Sequence, residues 1–217
     1  MTPEDAKGRC GAVAEALVFY GVEPHVGAEI GVRRGALSGA LLARYPDLLL
    51  YMVDSWRAAA PDSEYRASGD QIALVSQQNM DKAEATAREA ARFAKERAVV
   101  LKAESGDAAD MLKDEVLDFV FIDAEHTFDA VLRDLRLWVP KVRHGGIVGG
   151  HDWYENRPRF EKFMVPQAVR AFREEEGLRS AGRLCSECYG CPQATRSGAT
   201  ATEIRLGAET TWFFQKP

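Results

Sequence analysis

The fold is decided by residues 119–153, which read FVFIDAEHTFDAVLRDLRLWVPKVRHGGIVGGHDW. The pattern predicts an apolar strand ending at Asp123, a helix, and a second apolar strand ending at His151 and Asp152. Parallel strands joined by a crossover helix run in the same direction, so their carboxyl ends lie side by side. We therefore expect Asp123 beside the His151–Asp152 pair, with His126 one helical turn past the first carboxylate. We interpret this edge as a metal site with a base beside it.

A strand, a glycine turn and a helix precede this stretch. Residues 25–30 are short and apolar, and they lead into a helix rich in alanine and leucine. The spacing Glu29-x-Gly31-x-x-x-Gly35 differs from the G-x-G-x-x-G fingerprint of dinucleotide-binding folds. Gly31 lets the backbone turn tightly near a ligand, and Gly35 permits close contact with a helix. A carboxylate at Glu29 would repel a pyrophosphate, whereas it suits a ligand that carries an ammonium group.

Two further strand ends face the same crevice. Residues 48–53 predict a buried strand followed by Asp54 and Ser55. An acid roughly 20 residues past the turn glycine can accept hydrogen bonds from a ribose diol. The alternative is that Asp54 and Ser55 cap the next helix. A third strand at 99–101 places Ser105 as a candidate contact to a purine.

The remaining pattern completes an alternation of helices and strands. We predict an N-terminal helix within residues 1–21, a polar loop at 57–69, one helix over 70–97, and a helix through 165–169. Gly145 and Gly146 are predicted to turn into a fifth strand at 147–148. A sixth strand is predicted at 178–184 and a final one at 210–214. The expected organisation is one domain over residues 1–217.

Composition limits the classes of function. The 217 residues are 46% hydrophobic and 28% charged, which fits one large α/β domain with a substantial core. The formal net charge is −5 and the pI about 5.5, so no broad basic surface favours nucleic acid. No apolar run approaches the ~20 residues of a membrane-spanning helix. Early acids and the lack of a signal-like apolar core predict a cytoplasmic location.

The cysteines form a second, separate pattern. Cys185, Cys188 and Cys191 have the spacing C-x2-C-x2-C, and Cys10 lies far away. The four are not spread like a disulfide framework, which fits a reducing compartment. Zinc usually takes four ligands, so Cys10 or a second chain would have to complete a metal site. A loop of free thiols at 185–191, or a bridge between Cys185 and Cys191, are the alternatives.

Four motifs in this order resemble the class I S-adenosylmethionine-dependent methyltransferases: E-I-G-V-x-x-G, V-D-S-W, F-I-D-A-E-H and G-G-I-V-G-G-H-D. The likeness covers roughly residues 26–169. Within that class it is most similar to the metal-dependent O-methyltransferases of small molecules, of the catechol and sugar types. The resemblance implies a Rossmann-like, doubly wound α/β sheet of about seven strands, mostly parallel with an antiparallel last strand.

The resemblance also implies a role for each motif residue. It implies methyl transfer from S-adenosylmethionine to a hydroxyl, with a divalent metal (Mg²⁺ or Mn²⁺) and His126 as general base. The residues expected to bind the methyl donor are Glu29, Gly31, Gly35, Asp54, Ser55, Ser105 and Asp123. The residues expected to hold the metal are Asp123, His151 and Asp152.

His151 departs from the pattern of these relatives, which tend to carry an acid or an amide there. An imidazole ligand would shift the preference from Mg²⁺ toward Mn²⁺, Fe²⁺, Co²⁺ or Zn²⁺. Alternatively, only Asp123 and Asp152 bind the metal and His151 supports them.

Three other functions stay open from the sequence: a metal-independent methyltransferase acting on nitrogen or carboxylate, a nicotinamide-dependent oxidoreductase, and a non-catalytic binding protein. The expected partner is a small-molecule hydroxyl acceptor, and the sequence does not identify it. A homodimer is compatible with the sequence.

Overall fold

The computed structural model describes residues 3–155, 163–177, 204–207 and 210–217, with side chains from residue 8 onward. Within these ranges the α-helices are α1 Pro3–Tyr20, α2 Ala36–Arg44, α3 Glu64–Ala67, α4 Gln77–Ala91, α5 Ser105–Asp110, α6 Phe128–Trp138 and α7 Val165–Glu175. Short 3-10 helices span Ile72–Leu74 and Arg92–Arg97.

The strands are β1 Val26–Ile30, β2 Leu49–Asp54, β3 Ala98–Lys102, β4 Leu117–Ile122, β5 Val142–Gly150, β6 Arg205–Leu206 and β7 Trp212–Gln215. They form a seven-stranded sheet in the order β3-β2-β1-β4-β5-β7-β6. Strands β1 to β5 pair parallel with one another, and β7 pairs antiparallel with both β5 and β6. The predicted fold class is confirmed, including the antiparallel strand near the C-terminus.

Hydrophobic cores cover both faces of the sheet. One core contains side chains of α1, α2 and α4, with Trp56 among them. The other contains side chains of α5, α6 and α7, with Trp138 and Trp212. The β4 strand is buried along its whole length, as expected for a parallel strand covered on two sides. The sheet therefore gives the ends of its central strands a rigid support.

Several predicted elements differ from the structure. The single helix predicted over 70–97 is interrupted, because Ile72–Leu74 forms a 3-10 turn, α4 begins only after Ser76, and Lys95 has a φ of 53°. Gly145 and Gly146 lie inside β5 and not before it, where the pairing with β4 shifts register. The predicted strand at 178–184 and the cysteines at 185–191 lie outside the described residues.

The N-terminal helix was predicted correctly in its end point, since α1 stops at Tyr20 and Gly21 follows with a φ of 67°. Cys10 is a free, buried thiol of this helix. None of the helices in the described ranges has the length and apolarity needed to cross a membrane.

Candidate active site

The carboxyl ends of the central strands are tied together by backbone hydrogen bonds. The amide of Gly31 donates to Val53 O at 2.9 Å, and the amide of Asp123 donates to Ile30 O at 2.8 Å. A Cβ on Gly31 would lie 2.2 Å from the carbonyl oxygen of Asp123. Gly31 also has a φ of 90°, so both its conformation and this close approach require glycine.

A cavity of about 550 Å³ opens at this edge of the sheet. The predicted site residues that line it are Gly31, Asp54, Ser55, Ser105, Asp123, His126 and Asp152. Four separate motifs of the sequence thus meet around one space. The volume lies within the range of small-molecule and cofactor pockets.

Asp54 has both carboxylate oxygens engaged. Oδ2 accepts the amide of Arg33 at 2.7 Å, and Oδ1 accepts the amide of Trp56 at 2.7 Å. Burial raises the pKa of Asp54, while these two hydrogen bonds oppose that rise. Each oxygen keeps a further lone pair for a ligand. The alternative that Asp54 caps the next helix does not apply, since α3 begins only at Glu64 after a Ser63 cap.

Two residues predicted to bind the methyl donor, Ser105 and Gly35, make close contacts within the protein. Ser105 donates to Asp134 at 2.6 Å and accepts from the indole of Trp138 at 2.8 Å. A Cβ on Gly35 would lie 2.8 Å from the Cα of Ala87 in α4, so Gly35 permits the close helix contact expected of it. Gly35 is not on the cavity wall, and its contact to the cofactor stays a prediction.

Glu29 lies behind the cavity wall. Its side chain is 1% exposed and accepts the hydroxyl of Ser38. Burial is the largest cause that raises the pKa of Glu29 to about 8, although the Ser38 hydrogen bond lowers it. The role of Glu29 toward an ammonium group stays a prediction.

This raised pKa makes the stability of the fold depend on pH. Between the ordinary value of 4.5 and about 8, the folded chain holds a proton that the unfolded chain releases, so stability falls as pH rises. At pH 7 this loss is about 3 kcal/mol. Glu29→Gln removes the titration while keeping an acceptor for Ser38, so we expect a gain in stability of up to that amount.

Urea unfolding of Glu29→Gln between pH 5 and 8 measures this effect. The difference from the wild type should widen as pH rises through the window. Glu23→Gln is the matched control, since the Glu23 side chain is 86% exposed and should show no such trend. Parallel pH profiles for the wild type and Glu29→Gln would show that Glu29 stays ionised in the fold.

His126 lies at the centre of a cluster of carboxylates. Its Nδ1 is 2.8 Å from Oδ2 of Asp70. Its Nε2 is 2.8 Å from Oδ2 of Asp152 and 3.6 Å from Oδ1 of Asp123. Phe163 stacks on the ring at 4.6 Å between centroids. The side chain is only 12% exposed, so the ring has one fixed orientation toward the cavity.

The charges in this cluster shift one another. Burial alone would lower the pKa of His126, but hydrogen bonding to Asp123, Asp152 and Asp70 outweighs it and holds the pKa well above its ordinary value. Burial would raise the pKa of Asp152, yet His126 and His151 hold it below its usual range.

His151 approaches the same carboxylates from the other side. Its Nδ1 is 3.1 Å from Oδ1 of Asp152 and 3.9 Å from Oδ1 of Asp123. Its Nε2 is 3.4 Å from the hydroxyl of Thr210. The residue is buried and does not line the cavity. The side chains of the other two histidines, His25 and His144, are exposed.

Arg9 of α1 is a cation that the sequence did not assign to the site. Its guanidinium forms an ion pair with Asp123, and it lines the cavity. The side chains are 13% and 11% exposed, so the pair is largely buried. Arg9 therefore neutralises one carboxylate of the cluster.

Three residues of the cluster could hold a metal ion. Single ligand atoms of Asp123, His126 and Asp152 all lie within 4.8 Å of one another. Within the described part of the chain, Nε2 of His126 and Nδ1 of His151 are buried without an aligned hydrogen-bond partner, although carboxylate oxygens lie close to both. Buried polar atoms normally have a partner, so these two nitrogens fit a site made for a further group.

Sequence reasoning missed Arg9, Asp70 and Phe163. Arg9 belongs to a helix whose pattern signals only packing, and Asp70 is the first residue of the helix predicted over 70–97. The carboxylate at 70 and the imidazole at 126 are brought together by the fold, and no local spacing predicts that contact.

Comparison with known proteins gives a family for the chain. Residues 28–153 match a family model described as a methyltransferase domain. No curated protein matches the sequence. Among solved structures, an O-methyltransferase from Bacillus cereus in complex with SAH is 16% identical, with a TM-score of 0.54, covering 100% of this chain and 82% of that one.

Two further solved structures share the fold. A proposed S-adenosyl-L-methionine-dependent methyltransferase from Methanococcus maripaludis is 16% identical, with a TM-score of 0.55, covering 99% of this chain and 93% of the other. SAH-bound methyltransferase PaMTH1 from Podospora anserina is 12% identical, with a TM-score of 0.52, covering 89% and 72%. At these identities the likeness concerns the fold.

Proposed function

Since the chain belongs to the methyltransferase-domain family, matched over residues 28–153, we propose that it transfers a methyl group from S-adenosylmethionine to a hydroxyl of a small molecule. The proposal includes a divalent metal at Asp123 and Asp152 and His126 as the group that accepts the hydroxyl proton. The observation that carries it is the cluster itself, in which a fixed imidazole and two carboxylates share one cavity with Gly31 and Asp54.

The donor half of the cavity supports a nucleoside ligand. Asp54 presents a half-buried carboxylate with free lone pairs, suited to a ribose diol. Gly31 lines the same cavity, and its lack of a side chain lets the ends of β1 and β4 approach each other there. The sulfonium of S-adenosylmethionine already activates the methyl group, so the protein's task is to align oxygen, methyl carbon and sulfur.

The residues at the strand ends fit a divalent cation. Two carboxylates, Asp123 and Asp152, face each other with the nitrogens of His126 and His151 beside them. Arg9 and the proton of His126 together carry the charge of one divalent ion, so exchanging them for a metal leaves the charge of the cluster unchanged. A mixed set of oxygen and nitrogen ligands suits Mn²⁺ and later transition metals as well as Mg²⁺.

A hydroxyl is a poor nucleophile near pH 7, and its deprotonation is the chemical problem to solve. A bound divalent metal would lower the pKa of an acceptor hydroxyl. His126 lies on the cavity wall with Nε2 toward the carboxylates, and once a metal has replaced the proton of the ring, this nitrogen can take up the proton of the hydroxyl. Phe163 shields one face of the ring, which limits the access of water.

The ion pair between Arg9 and Asp123 favours a second candidate, a methyltransferase that needs no metal. In that case Arg9 would neutralise the charge of Asp123 permanently, and His126 would be the group that exchanges a proton with the acceptor. Nitrogen and carboxylate acceptors, which need less activation than a hydroxyl, would then be the substrates.

Calorimetry with S-adenosylmethionine tests the proposed donor, and we expect an affinity in the micromolar range. Asp54→Asn should weaken binding roughly 10–100-fold, because a hydrogen bond to a charged group is lost. Asp47→Asn, at an exposed acid, is the matched control and should bind like the wild type. Binding of NAD in preference to S-adenosylmethionine would instead support the nicotinamide-dependent class.

A further inference from the structure

Asp70 is a buried carboxylate that no motif predicts and that the proposed reaction does not use. It is 4% exposed and lies between β2 and α4. The segment before it, residues 57–69, provides part of the cavity wall, including Tyr65.

Donors hold this carboxylate in place from its own segment. Oδ1 accepts the amide of Ile72 at 2.8 Å, and Oδ2 accepts the hydroxyl of Tyr65 at 3.2 Å. The amide of Asp70 donates to the hydroxyl of Ser68 at 3.2 Å. These contacts hold the carboxylate in position independently of His126.

The remaining capacity of Oδ2 is directed to His126. Nδ1 of His126 lies 2.8 Å away, although the two residues are 56 positions apart. Both oxygens of Asp70 accept hydrogen bonds, from the amide of Ile72 and the hydroxyl of Tyr65, as those of an ionised carboxylate do. An ionised carboxylate only accepts hydrogen bonds, so Nδ1 must carry a proton.

We propose that Asp70 is the positioning residue for His126, fixing the proton on Nδ1 so that Nε2 is the nitrogen presented to Asp123 and Asp152. The same division of labour is known for imidazoles whose second nitrogen is held by a carboxylate, both in proton transfer and beside metals. Without Asp70, the neutral ring would carry its proton on Nε2, toward Asp123 and Asp152, and Nε2 could then not accept a proton.

The backbone and Phe163 restrict the ring but do not choose its tautomer. Phe163 stacks on the ring face with 20° between planes, and the amide of Met164 donates to the carbonyl of His126 at 2.9 Å. Both contacts are indifferent to which nitrogen bears the proton. The choice therefore falls to Asp70.

Asp70 also links the cavity wall to the reactive cluster. Tyr65 donates to the same oxygen that His126 contacts, and Tyr65 lines the cavity. A disturbance of the wall at α3 is thus transmitted to the imidazole through one carboxylate. The inference rests on the proposed function only for the use made of Nε2.

Nuclear magnetic resonance of nitrogen-15-labelled protein with excess Mg²⁺ tests the tautomer, and His126→Gln assigns the signals. In the wild type we expect a protonated Nδ1 and an unprotonated Nε2. Asp70→Ala should reverse this pattern. Asp70→Asn keeps the size and one acceptor oxygen, so Nδ1 should stay protonated while its proton resonance moves upfield, since a neutral acceptor binds it more weakly. Asp62→Ala, at an exposed acid of the same segment, should match the wild type.

A wild-type pattern in Asp70→Ala, or an unmoved Nδ1 proton resonance in Asp70→Asn, would overturn the positioning role. The Asn variant gives this answer even if the Ala variant does not fold. If Mg²⁺ does not bind, the signals of His126 stay the same with and without the ion, which counts against the proposed metal. The Nδ1 proton resonance, which hydrogen bonding to Asp70 shifts downfield in the wild type, should still be lost in Asp70→Ala. A failure of the proposed metal and a failure of the positioning role are therefore distinguishable.

Discussion

Replacing His126 with alanine is expected to lower turnover by ~10²–10⁴-fold, the usual contribution of a positioned general base. The affinity for S-adenosylmethionine should be unchanged, because the donor half of the cavity is formed by Gly31 and Asp54. Methyl transfer measured under saturating donor and metal, alongside calorimetry of the donor, separates the two effects. Truncation also leaves Asp70 and Asp152 without their imidazole partner, so thermal unfolding has to be recorded for each variant.

His126→Gln controls for that loss, since an amide of similar reach can contact both carboxylates but cannot accept a proton near pH 7. His25→Ala is the matched surface control, with a side chain 62% exposed. A normal rate in His126→Ala would place the base elsewhere. A fall in Mn²⁺ affinity as large as the fall in rate would identify His126 as a metal ligand, which its grouping with Asp123 and Asp152 also allows.

The sequence predicts which strand ends meet, because strand periodicity and the handedness of crossovers leave few arrangements. Asp54, Asp123 and Asp152 lie at or just after the carboxyl end of a strand. Parallel pairing brings these strand ends to one edge of the sheet. The sequence does not predict the breaks in the helix expected over 70–97, because these residues include neither glycine nor proline. Tertiary contacts of Asp70 decide the first break, and they are invisible to a local pattern.

The roles of single side chains at the site were predictable only in part. The motifs predicted roles for His126 and His151. They did not predict that Nε2 of His126 and Nδ1 of His151 face the same two carboxylates. Arg9 reaches Asp123 across 114 positions of sequence, and nothing in the α1 pattern distinguishes a residue that enters a cavity from one that faces solvent. Contacts of this kind depend on how α1 is docked against the sheet.

Arg9 affects which carboxylate is the better one to replace in a test for a metal. Its guanidinium contacts Asp123 directly, so a divalent ion would compete with it for that carboxylate. Among the described residues the Asp152 carboxylate has no arginine partner, and its ion-pair contacts are to His126 and His151. A substitution at Asp152 therefore reports on the metal without also releasing a buried guanidinium.

Asp152→Asn is expected to abolish metal-stimulated turnover and to weaken Mn²⁺ binding by at least ~100-fold, beyond what loss of an outer partner of a ligand costs. The amide keeps the size of the side chain, which matters because Asp152 has a φ of 60° in a region where asparagine is as well tolerated as aspartate. Paramagnetic resonance of Mn²⁺ measures the affinity, and methyl transfer with and without chelator measures the dependence. Asp129→Asn, at an exposed acid near the start of α6, is the matched control. Wild-type activity that is indifferent to chelator, with unchanged Mn²⁺ affinity in Asp152→Asn, would remove the metal from the mechanism and leave Arg9 as the lasting cation at Asp123.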